Sequence, residues 1–280
     1  MAVLALSLPL SVRHTQDGFI GLEYGRVEER KANTMKEVEV LELLKNGVHF
    51  GHQKSRRHPK MEPYIFTVRN GVHIINLEKT LEHLNIAREY VRNTVMKGGS
   101  ILFVGTKRQA KEIVKRHAQA VGMPFITERW LGGLFTNFAN VSKLQKRLIK
   151  LEGQAASGEL DKYTKKEKLD FTKEIEKLEK LVGGMKNMNV LPSAVYVIDI
   201  KDEKTAVKES IKKKIPLIAI TDTNTNPSII KYPIPGNDDA TKSIELITSL
   251  IAEAVAEGKT MREKGAVAEK ASKPIPVAKK

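Results

Sequence analysis

The chain has 280 residues, no cysteine, and 48 Lys and Arg against 33 Asp and Glu, a net charge of +15 at neutral pH. Hydrophobic residues make up 41%, too many for a disordered chain, and the length suffices for one large domain or two small ones with a buried core. The missing cysteines exclude disulfides, thiolate zinc sites, iron–sulfur centres and a Cys nucleophile; no stretch approaches the roughly 20 apolar residues of a membrane span; and the positive excess points to a polyanionic partner, nucleic acid first.

Residues 1–34 read as a poorly ordered extension. Ala2 to Leu10 is apolar but broken by Pro9 and has no positive region before it, so it makes a poor signal peptide. Arg13, Arg26, Arg30 and Lys31 are offset by Asp17, Glu23, Glu28 and Glu29, which leaves the arm neutral. A lineage-specific extension and translation from an upstream start are both open readings. Met35 begins a more structured pattern.

Residues 45–60 hold Lys45, Lys54, Arg56, Arg57 and Lys60 with no acid among them. Pro59 and Pro63 imply a rigid, extended connection rather than a helix. Guanidinium groups bridge phosphates and stack on bases, so Lys54, Arg56, Arg57, Lys60 and, further on, Arg69 are candidate RNA contacts. His49 and His52 are spaced to share a helical face. With Asp199 or Asp222 they are weak candidates for a divalent metal, His52, Asp199 and Asp222 being the set preferred; the bland alternative is packed or capping histidines.

Short strands are expected at Tyr64–Phe66, Val72–Ile75 and Phe125–Ile126. Ser100–Val104, Ala194–Ile198 and Leu217–Ile220 are apolar runs that fit strands buried on both faces, as in parallel sheets. Helices are expected over Thr106–Val121, Glu203–Lys214 and Asp239–Glu257, an alternation that argues for an open, layered α/β sheet. The first strand runs through Gly105 into its helix, where such sheets bind phosphates, but no G-x-G-x-x-G and no Walker sequence is present. Lys107, Arg108, Lys111, Lys115 and Arg116 crowd that helix start against the macrodipole, which a phosphate backbone would relieve; the first four are candidate RNA contacts.

Glu128–Phe138 contains the only Trp. Trp130, Phe135 and Phe138 read as core anchors before base-stacking platforms, with Arg129 the better phosphate candidate. From residue 140 to about residue 182 the chain turns Lys/Glu-rich. Val141, Leu144, Leu148 and Leu151, then Phe171, Ile175, Leu178 and Val182, trace two narrow seams, as in an antiparallel coiled-coil hairpin ending at Gly183-Gly184. Lys143 and Arg147 lie on its polar face and are the last RNA candidates. Pro233–Asp239 reads as a turn, with Asn237 or Asp238 capping the final helix. Residues 258–280 read as a basic, disordered tail. The organisation is thus an α/β domain in two parts, 35–139 and 185–257, with a hairpin inserted over 140–184.

Several of these segments together resemble the ribosomal protein S-two family of the bacterial small subunit. They are Gly47-Val-His-Phe-Gly-His-Gln53, Pro59-Lys-Met-Glu-Pro-Tyr-Ile-Phe66, Gly71-Val-His-Ile-Ile-Asn-Leu-Glu-Lys-Thr80, Phe103-Val-Gly-Thr-Lys-Arg-Gln-Ala110 and Glu128-Arg-Trp-Leu-Gly-Gly-Leu-Phe-Thr-Asn137. Leu191-Pro192, Val197-Ile-Asp199, Ile215-Pro216, Thr221-Asp-Thr-Asn224 and Ile234-Pro-Gly-Asn-Asp-Asp239 continue in order, so the match runs from about Met35 to Glu257. The resemblance implies a non-enzymatic constituent of the small subunit with a Rossmann-like parallel sheet, helices on both faces and the coiled-coil hairpin. It implies binding to 16S rRNA near the junction of head and body, other small-subunit proteins as neighbours, docking of the mRNA-binding protein S-one, no required cofactor, and a cytoplasmic location. A nucleotide-binding α/β enzyme and a free-standing RNA-binding regulator are the alternatives.

Overall fold

The computed structural model describes residues 38–272. The arm read over residues 1–34 and the end of the tail, 273–280, lie outside the described residues.

The N-terminal part builds a small antiparallel sheet. After α1 (Val40–Lys45), β1 (Phe50–Gln53), β2 (Ile65–Arg69) and β3 (Val72–Ile75) pair in the order β1-β3-β2. Asn70 and Gly71 both take positive φ, 51° and 76°, the two-residue hairpin turn that Asn-Gly favours. His49 and His52 therefore do not share a helix; His52 lies in β1, and two short 3-10 turns, Lys54–Arg56 and Pro59–Tyr64, follow. Next comes α2 (Leu77–Met96), started by Asn76, whose Oδ1 accepts from the N–H groups of Glu78 and Lys79 at 2.9 and 3.4 Å.

The main sheet is parallel, as the apolar runs require. It comprises β4 (Ile101–Val104), β5 (Phe125–Ile126), β6 (Ala194–Ile198), β7 (Leu217–Thr221) and β8 (Tyr232–Pro235), in the order β5-β4-β6-β7-β8. Where the sequence pattern sets a turn, Tyr-Pro-Ile-Pro forms β8; its two prolines are tolerated because the strand is at an edge and pairs only with β7. Alternate side chains serve opposite faces. Phe103, Tyr196, Ile198, Ile218, Ile220 and Ile234 pack toward α2, α3 (Lys111–Ala120) and α7 (Thr241–Ser272). Leu102, Val104, Val195, Val197, Leu217 and Ala219 pack with α6 (Lys204–Lys212) and residues of the 130–188 segment. This is the Rossmann-like α/β architecture that the alternation implied.

The inserted segment forms α4 (Phe138–Ala156) and α5 (Lys165–Val182), in contact with each other. Its buried positions depart from a regular seam: Val141, Gln145, Leu148 and Leu151 are buried on α4, whereas Leu144 is exposed. Gln145 Nε2 donates to the Met185 carbonyl at 2.9 Å, so the chain beyond α5 folds back along α4. α5 ends at Val182 with Gly183 as its cap, and the next residue, Gly184, is required by close packing, since a Cβ there would lie 2.3 Å from the carbonyl oxygen of Phe125 on the edge strand β5.

At the C-terminal side the sequence pattern starts a disordered tail at Gly258. The structure instead continues α7 through Gly258 to Ser272. Gly258 is there because α2 passes close: a Cβ would sit 2.7 Å from the Arg92 carbonyl oxygen. The following Lys, Met, Arg, Glu and Ala residues are good helix formers. Among the described residues no helix is long and apolar enough to cross a membrane.

Candidate nucleic-acid interface and the carboxylate cluster beneath it

The basic segment after β1 is stapled to the main sheet. His52 N–H donates to Thr223 Oγ1 at 2.9 Å, His58 N–H to the Thr223 carbonyl at 2.8 Å, and Lys54 N–H to the Gly71 carbonyl at 2.9 Å. Gly51 must be glycine here, because a Cβ would lie 2.6 Å from the Thr223 methyl. Buried Met61 anchors the second 3-10 turn. Lys54, Arg56, Arg57, Lys60 and Arg69 are thereby exposed on a fixed scaffold. Arg57 makes only a 3.4 Å pair with exposed Glu62, the kind of surface contact that contributes little.

The other candidates divide. Arg108, Lys115, Arg129 and Lys143 are exposed and, like Lys54, Arg56, Lys60 and Arg69, make no ion pair with a described carboxylate. Lys111 is paired with Glu128 at 2.7 Å, and Arg147 takes Glu174 in two bonds of 3.1 and 3.2 Å that raise its pKa. Lys107 corrects the sequence reading outright. Its side chain is 11% exposed and its ammonium contacts Asp199 at 2.8 Å, Asp238 at 2.8 Å and Asp239 at 2.7 Å. It faces inward and is not open to a phosphate.

Lys107 follows β4, Asp199 follows β6, Asp222 follows β7 and Asp238 follows β8, so the carboxyl ends of four strands converge. The strand order reverses between β4 and β6, which opens a crevice at that edge. The cluster fills it. Burial works against the Lys107 charge, but the field of Asp238 and the hydrogen bonds from the three carboxylates outweigh it and hold the pKa above the ordinary lysine value. Burial, reinforced by Asp199 and Asp222, pushes the Asp238 carboxyl up to about 8. Its one lysine is committed to three carboxylates, so the crevice presents no open cation to a nucleotide phosphate. Gly105 is a packing glycine, with a Cβ there 2.9 Å from Val114, and α3 begins only at Lys111.

His52 enters the cluster from β1. Its Nδ1 lies 3.0 Å from Asp222 Oδ2 and its Nε2 3.5 Å from Asp239 Oδ2, and the hydrogen bond to Asp222 raises the imidazole pKa. His52, Asp222 and Asp238 place one ligand atom each within 4.8 Å of one another. The third potential ligand is thus Asp238 and not Asp199. Asp199 is consumed elsewhere: Oδ1 accepts from Lys201 N–H at 2.7 Å and Oδ2 takes Lys107.

Two acids that belong to no recognisable motif support the candidate surface from behind. Glu203 accepts from Thr106 N–H at 3.0 Å. Glu209, on α6, accepts from the N–H groups of Gly133, Phe135 and Thr136 at 2.7, 2.9 and 3.2 Å, and from Trp130 Nε1 at 3.3 Å. It holds the whole loop that carries Arg129. Trp130 and Phe135 are buried edge-to-face, centroids 4.9 Å apart, so they are core anchors and not base-stacking platforms. The available signal is a pair of acids, Glu203 before the helix and Glu209 within it, in an otherwise lysine-rich segment.

Residues 43–258 match the family model described as Ribosomal protein S2. The chain belongs to the ribosomal protein S2 family. It is 50% identical over 234 residues to the small ribosomal subunit protein uS2 of Thermobifida fusca, covering 82% of this chain and 79% of that one. The protein of the same name from Mycolicibacterium vanbaalenii is 50% identical over 238 residues, 85% of this chain and 87% of its own length. That of Corynebacterium diphtheriae is 49% identical over 235 residues, 84% and 88% of the two chains. Membership in this family accounts for a Rossmann-like sheet whose crevice is plugged rather than catalytic.

Proposed function

We propose that the chain is a non-enzymatic structural constituent of the small ribosomal subunit, bound to 16S rRNA in the cytoplasm through its exposed cations. The observation that carries this reading is the division of charge. The acids at the sheet edge are paired internally with Lys107 and His52, while Lys54, Arg56, Lys60, Arg69, Arg108, Lys115, Arg129 and Lys143 are exposed and make no ion pair with a described carboxylate. Such groups neutralise phosphates and release counterions without reading bases, as expected for shape-based recognition of folded RNA. The test is a salt titration of binding to small-subunit rRNA. Affinity should fall steeply and linearly in a double-logarithmic plot; salt-independent binding, or none, would contradict the reading.

Two finer points belong to the same proposal. Docking of protein S-one, and contact with neighbouring small-subunit proteins near the head–body junction, rest on the family resemblance. A divalent cation at His52, Asp222 and Asp238 is supported by the donor set, imidazole with carboxylates as zinc prefers, and by Asp238 Oδ2, which is buried without a hydrogen-bond partner. Those residues would tie β1 to the ends of β7 and β8, a structural role. Metal analysis of the purified chain against Asp238→Asn tests it, and equal metal content in both proteins would contradict it.

A further inference from the structure

Helix α6 carries a charge pattern that none of the interface residues above includes. Residues 201–214 contain Lys201, Lys204, Lys208, Lys212, Lys213 and Lys214 against Asp202, Glu203 and Glu209. All six lysines are exposed, whereas Glu203 and Glu209 are buried and committed to Thr106 and to the 130–136 loop. Only Asp202 opposes the lysines at the surface. None of the six makes an ion pair with a described carboxylate.

The geometry makes these lysines a ridge. Lys204, Lys208 and Lys212 recur every four residues, about 40° apart around the helix, and span about 12 Å along it. Lys201 is exposed in the turn that leads into the helix. Lys212 to Lys214 sit at the helix C-terminus, where cations favour the macrodipole and need no partner. Lys201 and Lys204 sit at the N-terminus, where the same dipole opposes them, so helix stability does not account for their presence. Packing does not account for it either, since the buried face of α6 is supplied by Ala206, Val207, Glu209 and Ser210. Glu209 further ties the ridge to the loop bearing Arg129, which extends the basic surface across two elements fixed to each other.

We propose that the α6 ridge is a second polyanion contact, seated on the phosphate backbone of RNA. A row of lysines without aromatic or guanidinium partners suits a phosphate track and carries no base readout. The proposal rests on the rRNA-binding reading above and adds a separate surface to it, distant in sequence from the 54–69 segment.

The experiment compares three full-length proteins by salt titration against a small-subunit rRNA transcript: the unaltered chain, Lys201→Gln/Lys204→Gln/Lys208→Gln/Lys212→Gln, and Arg56→Gln/Arg57→Gln. Lys and Gln have similar helix propensity and the sites are exposed, so thermal unfolding should be unchanged and serves as the folding control. Each lost phosphate contact lowers the slope of log K against log salt by about 0.7–0.9, so the α6 variant should lose about 3 units of slope and bind 10-fold or more weakly near 0.1 M salt. If the Arg56/Arg57 variant loses slope while the α6 variant matches the unaltered chain, the ridge proposal is wrong and the rRNA reading stands. If the unaltered chain shows no salt-dependent binding, the underlying reading fails instead. Cross-linking of the α6 lysines in assembled subunits to a protein carboxylate, and not to RNA, would also overturn the proposal by assigning the ridge to an acidic protein partner.

Discussion

Replacing Glu209 by Ala should be the most damaging single truncation of a polar side chain on α6. The carboxylate accepts four N–H groups from residues 130–136. The Gly133 and Thr136 amides are half-buried and can recover water. The Phe135 amide and the Trp130 indole are buried and cannot. Leaving a buried donor without an acceptor costs about 1–3 kcal/mol, so two such donors give about 4 kcal/mol. For a domain of this size that is a fall in melting temperature of about 8–16 °C. Equilibrium urea unfolding of the full-length chain measures it, with an unchanged m-value to show that the same surface is exposed. Burial pushes the Glu209 pKa up, but the backbone amides more than compensate and the net shift is downward. Its contribution is therefore complete above the ordinary glutamate value of 4.5 and lost as pH falls through the lower folded value. A measured loss below about 1 kcal/mol would show that the loop relaxes onto other acceptors, and the role assigned to Glu209 would be wrong.

Three further outcomes follow from other regions. Arg56→Glu with Arg57→Glu should reduce incorporation into small subunits while leaving the circular dichroism spectrum and melting temperature unchanged; normal occupancy in purified subunits would remove that loop from the interface. Gly184→Ala should destabilise the fold by about 1–3 kcal/mol, because its Cβ meets the Phe125 carbonyl, whereas Gly153→Ala, in helix α4 with nothing within 4 Å of the new methyl, should stabilise by about 0.5–1 kcal/mol; chemical denaturation that reverses this order contradicts the packing described. Burial lowers the pKa of His49, His73 and His83, with Arg57 and Lys54 adding to the effect at His73, while Asp222 raises that of His52. The first three contribute stability that is complete above about pH 6.5 and lost as pH falls through their folded values. NMR titration should place His73 below 6.5 and His52 above it, and the opposite order would contradict the environments assigned to them.

Legibility in the sequence followed burial on both faces. The runs at 101–104, 194–198 and 217–221 are apolar at every position because helices cover both sides of the sheet, and they read directly as parallel strands. β8 did not, because Pro233 and Pro235 signal a turn until its edge position is known. Helix α7 past Gly258 was hidden for a related reason: a glycine and a basic composition look like an end, and only the proximity of α2 explains the glycine. Among the site residues, Arg56, Lys60, Arg69 and Arg129 are exposed as their composition suggested. Lys107 reads as an open cation because sequence shows a lysine beside a glycine turn and not the three carboxylates that meet it from the ends of β6 and β8. Asp238 is not legible as a metal candidate for the same reason, since only the fold brings it to His52 and Asp222.

The central claim is that this chain is a component of the small ribosomal subunit held by phosphate contacts. Sucrose-gradient fractionation of a native lysate, with the chain quantified in each fraction at rising salt, tests it most directly. The account predicts co-migration with small subunits at low salt and release into the soluble fractions only as salt rises. A chain found mainly in the soluble fractions at low salt would contradict it.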